Sequence, residues 1–153
     1  MLKDFRRRRF IVRLLAVCAW PLAPARAAET DSESVEAMLL KLTGGATIQP
    51  GRVKLELPVL ADNGNSVSLK VSIDSPMTAD SFVKSIHIYA ARNPRPNVAN
   101  FYLGPRAGRA QLSTRVRLGG SQRVLAVAAM SDGTFWSASA DVVVTLSACY
   151  DAT

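Results

Sequence analysis

The sequence predicts an all-β fold: an immunoglobulin-like antiparallel β-sandwich with one short N-terminal amphipathic helix and a C-terminal tail that carries a cysteine. Three observations lead there. From Val53 onward, apolar residues alternate with polar ones at a period of two. Clusters of Gly, Pro, Asn and Asp break the chain at short intervals. A helical period occurs only near the N-terminus, so about seven short strands in roughly a hundred residues must close on one another as two packed sheets.

The elements follow in order. Residues 1–27 read as a secretory signal: a cationic block (Lys3, Arg6 to Arg9, Arg13), an apolar stretch from Leu14 to Trp20, and a small-residue exit at Ala25-Arg26-Ala27. The apolar stretch is too short to span a bilayer. Arg7-Arg8-Arg9-Phe10-Ile11 fits the twin-arginine export pattern, with a Sec-type signal as the alternative, so the expected compartment is the periplasm. In the next segment, 28–45, Thr30 and Glu33 have capping-box spacing. Val35, Met38, Leu39 and Leu42 then share one helix face that ends at Gly44-Gly45.

The sandwich is expected over 46–146. Val53, Leu55 and Leu57 alternate with Lys54 and Glu56, and Val67, Leu69, Val71 and Ile73 alternate with Ser66, Ser68, Lys70 and Ser72; Asp62-Asn63-Gly64-Asn65 supplies the turn between them. Further strands are predicted at Val83 to Ala90, Val98 to Leu103, Ala110 to Leu118, Arg123 to Met130 and Phe135 to Leu146. Residues 147–153 form the tail.

Charge is informative only once the signal is set aside. The 153-residue chain carries a net charge of +7, but cleavage near Ala27 removes seven of its 19 basic residues and one of its 12 acidic ones. The remainder, 12 against 11, is nearly neutral, which removes the electrostatic case for nucleic acid or for a stable membrane association.

Cleavage also removes Cys18, leaving Cys149 as the one thiol of the mature chain. It cannot form an intramolecular disulfide, so in an oxidising compartment it is paired between chains, modified, or exposed by purpose. No activating base or resolving cysteine accompanies it, and with an ordinary thiol pKa of about 8.5 it is mostly protonated at neutral pH. It suits a thiol loaded by another protein's chemistry. An arm starting after Leu146 would carry its sulfur on the order of 10 Å beyond the sheet.

The other candidates read as structural. His87, the single histidine, alternates with Ile86 and Ile88 and shares a face with Ser85 and Tyr89. Arg115 and Arg117 share a strand face, with Arg106, Arg109 and Arg123 near in sequence; such arginines are usually solvated, though Arg also suits partner interfaces and anions such as sulfonates. Asp62, Asp74, Asp80, Asp132 and Asp141 fall mostly at predicted turns or strand starts, and Phe135-Trp136 suits core or interface packing. Neither a phosphate-cradling loop nor a metal-binding cysteine pair occurs, and no cofactor is expected.

The long words Ser75-Pro76-Met77-Thr78-Ala79-Asp80-Ser81-Phe82-Val83-Lys84-Ser85-Ile86-His87-Ile88-Tyr89-Ala90, Asn93-Pro94-Arg95-Pro96-Asn97-Val98-Ala99 and Leu112-Ser113-Thr114-Arg115-Val116-Arg117-Leu118 carry a resemblance. Together with the helix and the C-terminal cysteine, they resemble the SoxY family, carrier subunits of the periplasmic sulfur-oxidation (Sox) system. The resemblance implies a non-enzymatic sandwich paired with a SoxZ-like β-sandwich subunit. It implies that Cys149 takes up thiosulfate or other reduced sulfur as a covalent adduct. A c-type cytochrome pair would load it, a hydrolase would release sulfate, and a molybdenum sulfur dehydrogenase would act on the remaining sulfane.

The family's tail is Gly-Gly-Cys-Gly-Gly, whereas here it is Ser147-Ala148-Cys149-Tyr150-Asp151-Ala152-Thr153, a stiffer and thicker arm. The alternative role is an interaction subunit of a SoxYZ-like complex, associated with a quinoprotein dehydrogenase, with a vestigial or disulfide-forming thiol.

Overall fold

A computed structural model describes residues 34–148. The expected signal segment, the Thr30/Glu33 capping box and residues 149–153 lie outside the described residues. The helix α1 spans Val35–Thr43. Ser34 is its N-cap: its backbone is extended and its Oγ accepts the Ala37 N–H at 3.2 Å. With Ala37 at the third helical position, this cap has no reciprocal side chain. Gly44 closes the helix as predicted, in the left-handed region at φ 62°, with its N–H bonded to the Leu40 carbonyl at 2.9 Å. None of its residues is fully buried, so α1 sits outside the core.

Nine strands follow among the described residues. Those called β1 (Ile48–Pro50), β3 (Leu60–Asn63), β5 (Val83–Ala90), β6 (Asn97–Tyr102), β8 (Gln122–Met130) and β9 (Phe135–Leu146) make one sheet. The other sheet has β2 (Val53–Glu56), β4 (Val67–Ile73) and β7 (Gln111–Val116) in the order β2-β4-β7. In the larger sheet the order is β1-β9-β8-β5-β6, with β3 also on β9. A 3-10 turn at Pro105–Ala107 precedes β7.

The predicted strands all form, with ends shifted by one or two residues. Two expectations are corrected. The sandwich is not wholly antiparallel: β1 pairs parallel with the start of β9 (Ile48 opposite Phe135), and β3 pairs parallel with its end (Leu60 opposite Val143, Asn63 opposite Leu146). The segment Asp62 to Asn65 is also only half a turn, because Asp62 and Asn63 belong to β3 and the bend begins at Gly64. At three and four residues, β1 and β3 are too short for a period to register. Both are fixed by pairing with β9 instead.

The core lies between the sheets. Val67, Leu69, Val71 and Ile73 of β4 face Ile86, Ile88 and Ala90 of β5, Val124, Ala126 and Ala128 of β8, and Val142 and Val144 of β9. Burying such side chains contributes about 1.5–3 kcal/mol each before the entropy of ordering them is counted. Trp136 packs at the margin. Its indole N–H donates to Thr134 Oγ1 at 3.1 Å, and the Arg52 guanidinium lies 5.2 Å over its ring.

Candidate functional site at the root of the C-terminal tail

Three segments distant in sequence meet where β9 ends. The Gly64 N–H donates to the Leu146 carbonyl at 2.7 Å, the Leu118 N–H to the Gly64 carbonyl at 2.8 Å, and the Ala148 N–H to the Leu118 carbonyl at 3.0 Å. Gly64 is required for lack of space. A Cβ there would collide with the Leu118 carbonyl oxygen, lie 2.8 Å from the Ala148 nitrogen and 3.0 Å from Val144 Cγ1. Leu118 and Ala148 are both buried.

Side chains brace the same junction. Asn93, itself buried, donates from Nδ2 to the Arg117 carbonyl at 2.8 Å, and its Oδ1 accepts from the Gly119 N–H and from Gln122 Nε2, each at 2.9 Å. Gln122 Oε1 accepts the Arg92 N–H at 2.9 Å. Ser121 Oγ accepts the Val144 N–H at 2.9 Å and donates to the Val144 carbonyl at 3.3 Å. Thr145 Oγ1 donates to the Asp62 carbonyl at 2.8 Å.

These contacts revise the expected arm. Of the tail 147–153, Ser147 is exposed, but Ala148 is buried and hydrogen-bonded, so the chain is held two residues beyond Leu146. Cys149, Tyr150 and Asp151 lie outside the described residues. Cys149 is the next residue in the sequence after the anchored Ala148.

The other candidate residues are dispersed. His87 is buried on the face of β5 turned away from the core. Its Nδ1 lies 2.8 Å from Asn100 Oδ1, which can only accept, so Nδ1 carries the proton and Nε2 accepts from the Ser85 hydroxyl at 2.9 Å. Tyr89 stacks at 6.4 Å and Tyr102 meets the ring edge-on at 6.2 Å. Burial pushes the His87 pKa down, opposed by the Asn100 hydrogen bond. This is a satisfied structural histidine.

Arg123 forms a two-bond pair with Asp141 across β8 and β9, both bonds at 3.0 Å and both side chains exposed. Asp132 caps its turn by accepting from the Thr134 N–H and hydroxyl, which lowers its pKa. Arg115 donates to Ser66 Oγ at 3.2 Å and borders a shallow, open groove of about 500 Å³ on the outer face of the smaller sheet. Among the described residues no group of three or more His, Cys, Asp and Glu side chains is placed to hold a metal ion. Nor is any helix among them long and apolar enough to cross a membrane.

The sequence reading missed Gly64, Asn93 and Leu118 as parts of the site. Gly64 and Asn93 carried only a turn signal, and Leu118 only that of a strand end.

The described residues define a two-sheet β-sandwich whose last strand leads into a braced terminal segment. A family model for the sulfur oxidation protein SoxY matches residues 39–149, and the chain belongs to that family. Among solved structures, the sulfur carrier protein SoxY from Chlorobium limicola f thiosulfatophilum superposes with a TM-score of 0.62 at 24% identity, covering 74% of this chain and 97% of that one. A superoxide reductase (neelaredoxin) from Ignicoccus hospitalis superposes with a TM-score of 0.55 at 18% identity, covering 61% of this chain and 80% of its own. At these identities the likeness is one of fold. No curated protein matches the sequence.

Proposed function

We propose that this chain is a non-catalytic periplasmic carrier in sulfur oxidation, exported by its N-terminal signal and cleaved near Ala27, and that Cys149 holds the sulfur cargo covalently. The observation that carries the reading is that the family match ends on Cys149, one peptide unit beyond the braced Ala148. A folded handle whose thiol follows directly on its anchored Ala148 suits presentation to other proteins.

In this reading, loading joins the Cys149 sulfur to the sulfane sulfur of thiosulfate. One S–S bond forms, the thiol proton goes to solvent, and two electrons pass to one-electron acceptors of the c-type cytochrome class, giving Cys–S–S–SO₃⁻. A hydrolase then adds water at the sulfonate sulfur. The S–SO₃ bond breaks, sulfate and two protons leave, and a persulfide remains on Cys149 for a sulfur dehydrogenase.

A SoxZ-like sandwich partner belongs to the same proposal. Leu60 and Val143 are exposed and in register on β3 and β9, and such an exposed apolar pair suits a protein partner. This pair also supports the second reading, an interaction subunit with an idle thiol. Labelled thiosulfate offered with the loading enzymes separates the two. The carrier reading expects incorporation in the native chain and none in Cys149→Ser; label retained by the variant would overturn it.

A further inference from the structure

The pairing of β2 with β4 ends early. It runs from Val53 opposite Ile73 to Glu56 opposite Lys70, whereas β4 stays paired with β7 as far as Val67 opposite Val116. The Asp74 N–H donates to the Arg52 carbonyl on the β2 side, and the Ile73 N–H to the Ala110 carbonyl on the β7 side. Backbone groups alternate in direction along a strand, so the N–H and carbonyl of Ser68 point, like those of Asp74, toward the β2 side. There they meet no backbone partner among the described residues. By the same register residue 58 would stand opposite Ser68, but Pro58 has no N–H to give. The chain instead leaves the smaller sheet at Leu57-Pro58 to reach the larger one, where the Val59 carbonyl accepts the Val143 N–H at 2.9 Å.

The gap opens into the groove of about 500 Å³, which has Leu57 and Pro58 in one wall and Ser68, Lys70 and Arg115 in its lining. Its charge is one-sided. Glu56 is held by Lys54 at 2.6 Å, with Lys70 at 4.0 Å, and Arg115 bonds the neutral Ser66 hydroxyl at 3.2 Å. Lys54, Lys70 and Arg115 thus stand against one carboxylate there. The two lining cations also flank Ser68 along the strand, Lys70 two residues after it and the Arg115 guanidinium at Ser66, two residues before it. We infer that this groove docks an extended acidic segment of a partner protein. One residue of that segment exchanges both backbone bonds with Ser68, and carboxylates on alternate residues, about 6.7 Å apart in an extended chain, meet Lys70 and Arg115. The surface lies on the body of the sandwich, so the inference does not depend on what Cys149 carries.

The probe is a fluorescently labelled, capped peptide Leu-Glu-Val-Glu-Val, with Leu-Gln-Val-Gln-Val as its neutral counterpart, titrated onto the full mature chain at low ionic strength. The Glu peptide should bind about tenfold more tightly than the Gln peptide, and should lose about tenfold in affinity for Lys70→Gln/Arg115→Gln. Its affinity for Arg106→Gln/Arg109→Gln, which removes two charges around the 3-10 turn instead, should stay within twofold of native. Saturation with the Glu peptide should also slow hydrogen exchange at the Ser68 amide, which general charge attraction would leave unchanged. No preference for the Glu peptide, an equal loss in the Arg106/Arg109 variant, or a Ser68 amide that exchanges at its free rate would overturn the inference.

Discussion

Gly64 and Leu118 are bonded backbone to backbone, and the Leu118 carbonyl occupies the space in which any side chain on Gly64 would begin. The same carbonyl accepts the Ala148 N–H, so one glycine lets the bend after β3, the end of the β7 segment and the tail root converge. Gly64→Ala should therefore force backbone apart and destabilise the fold by about 2–3 kcal/mol. Gly44→Ala is the contrast: nothing lies within 4 Å, and only the left-handed φ of 62° opposes it, at about 1 kcal/mol. Urea unfolding of both variants checks the order, and equal midpoints would contradict it.

Asn93 is the buried brace of the same region. Asn93→Leu leaves the Gly119 N–H, the Arg117 carbonyl and the Gln122 amide without this partner, and a loss of about 3 kcal/mol is expected. The amides of residues 118–120 should lose hydrogen-exchange protection first. A variant as stable as the native chain would show that the brace is dispensable.

The anchoring of Ala148 makes two truncations unequal. A chain ending at Ala148 keeps the bond to Leu118, whereas one ending at Leu146 loses that bond and the buried methyl group. The shorter chain should be less stable by about 1–2 kcal/mol. Identical melting of the two would place the end of the ordered fold at Leu146.

His87 should make stability depend on pH. Burial depresses its pKa below the ordinary 6.5, so above about 6.5 the imidazole is neutral whether the chain is folded or not, and its contribution is fully present. As pH falls below that value the unfolded chain takes up a proton that the folded chain resists. Stability is then lost until the pH passes beneath the folded pKa. Protonation also turns Nε2 into a donor facing the Ser85 hydroxyl. Unfolding midpoints at pH 7.5 and 5.5 should differ more in the native chain than in His87→Gln; the same difference in both would assign the dependence to other groups.

Much of this arrangement was legible in the sequence because a two-residue period reports burial on one sheet face. Val67 to Ile73 shows it plainly, with its odd-numbered residues buried and its even-numbered ones more exposed. The strands β1 and β3 were not legible, since each offers at most one inward residue and is defined by parallel pairing with β9. The N-cap of the described helix, Ser34, carried no signal of its own in the sequence, because its bond to the Ala37 N–H has no reciprocal side chain. At the tail, the identity of Cys149 was readable. The anchoring of its neighbour was not, because it depends on Gly64 and Leu118, whose approach is a property of the closed sandwich.

The central claim is that Cys149 carries sulfur, and the most direct measurement is the intact mass of the mature protein. It should be isolated under non-reducing conditions from cells grown with thiosulfate, and weighed before and after a reductant. The account predicts a reductant-labile mass increase that maps to Cys149 and fits a sulfane or thiosulfonate group. An unmodified thiol, or only a disulfide to another chain, would contradict it.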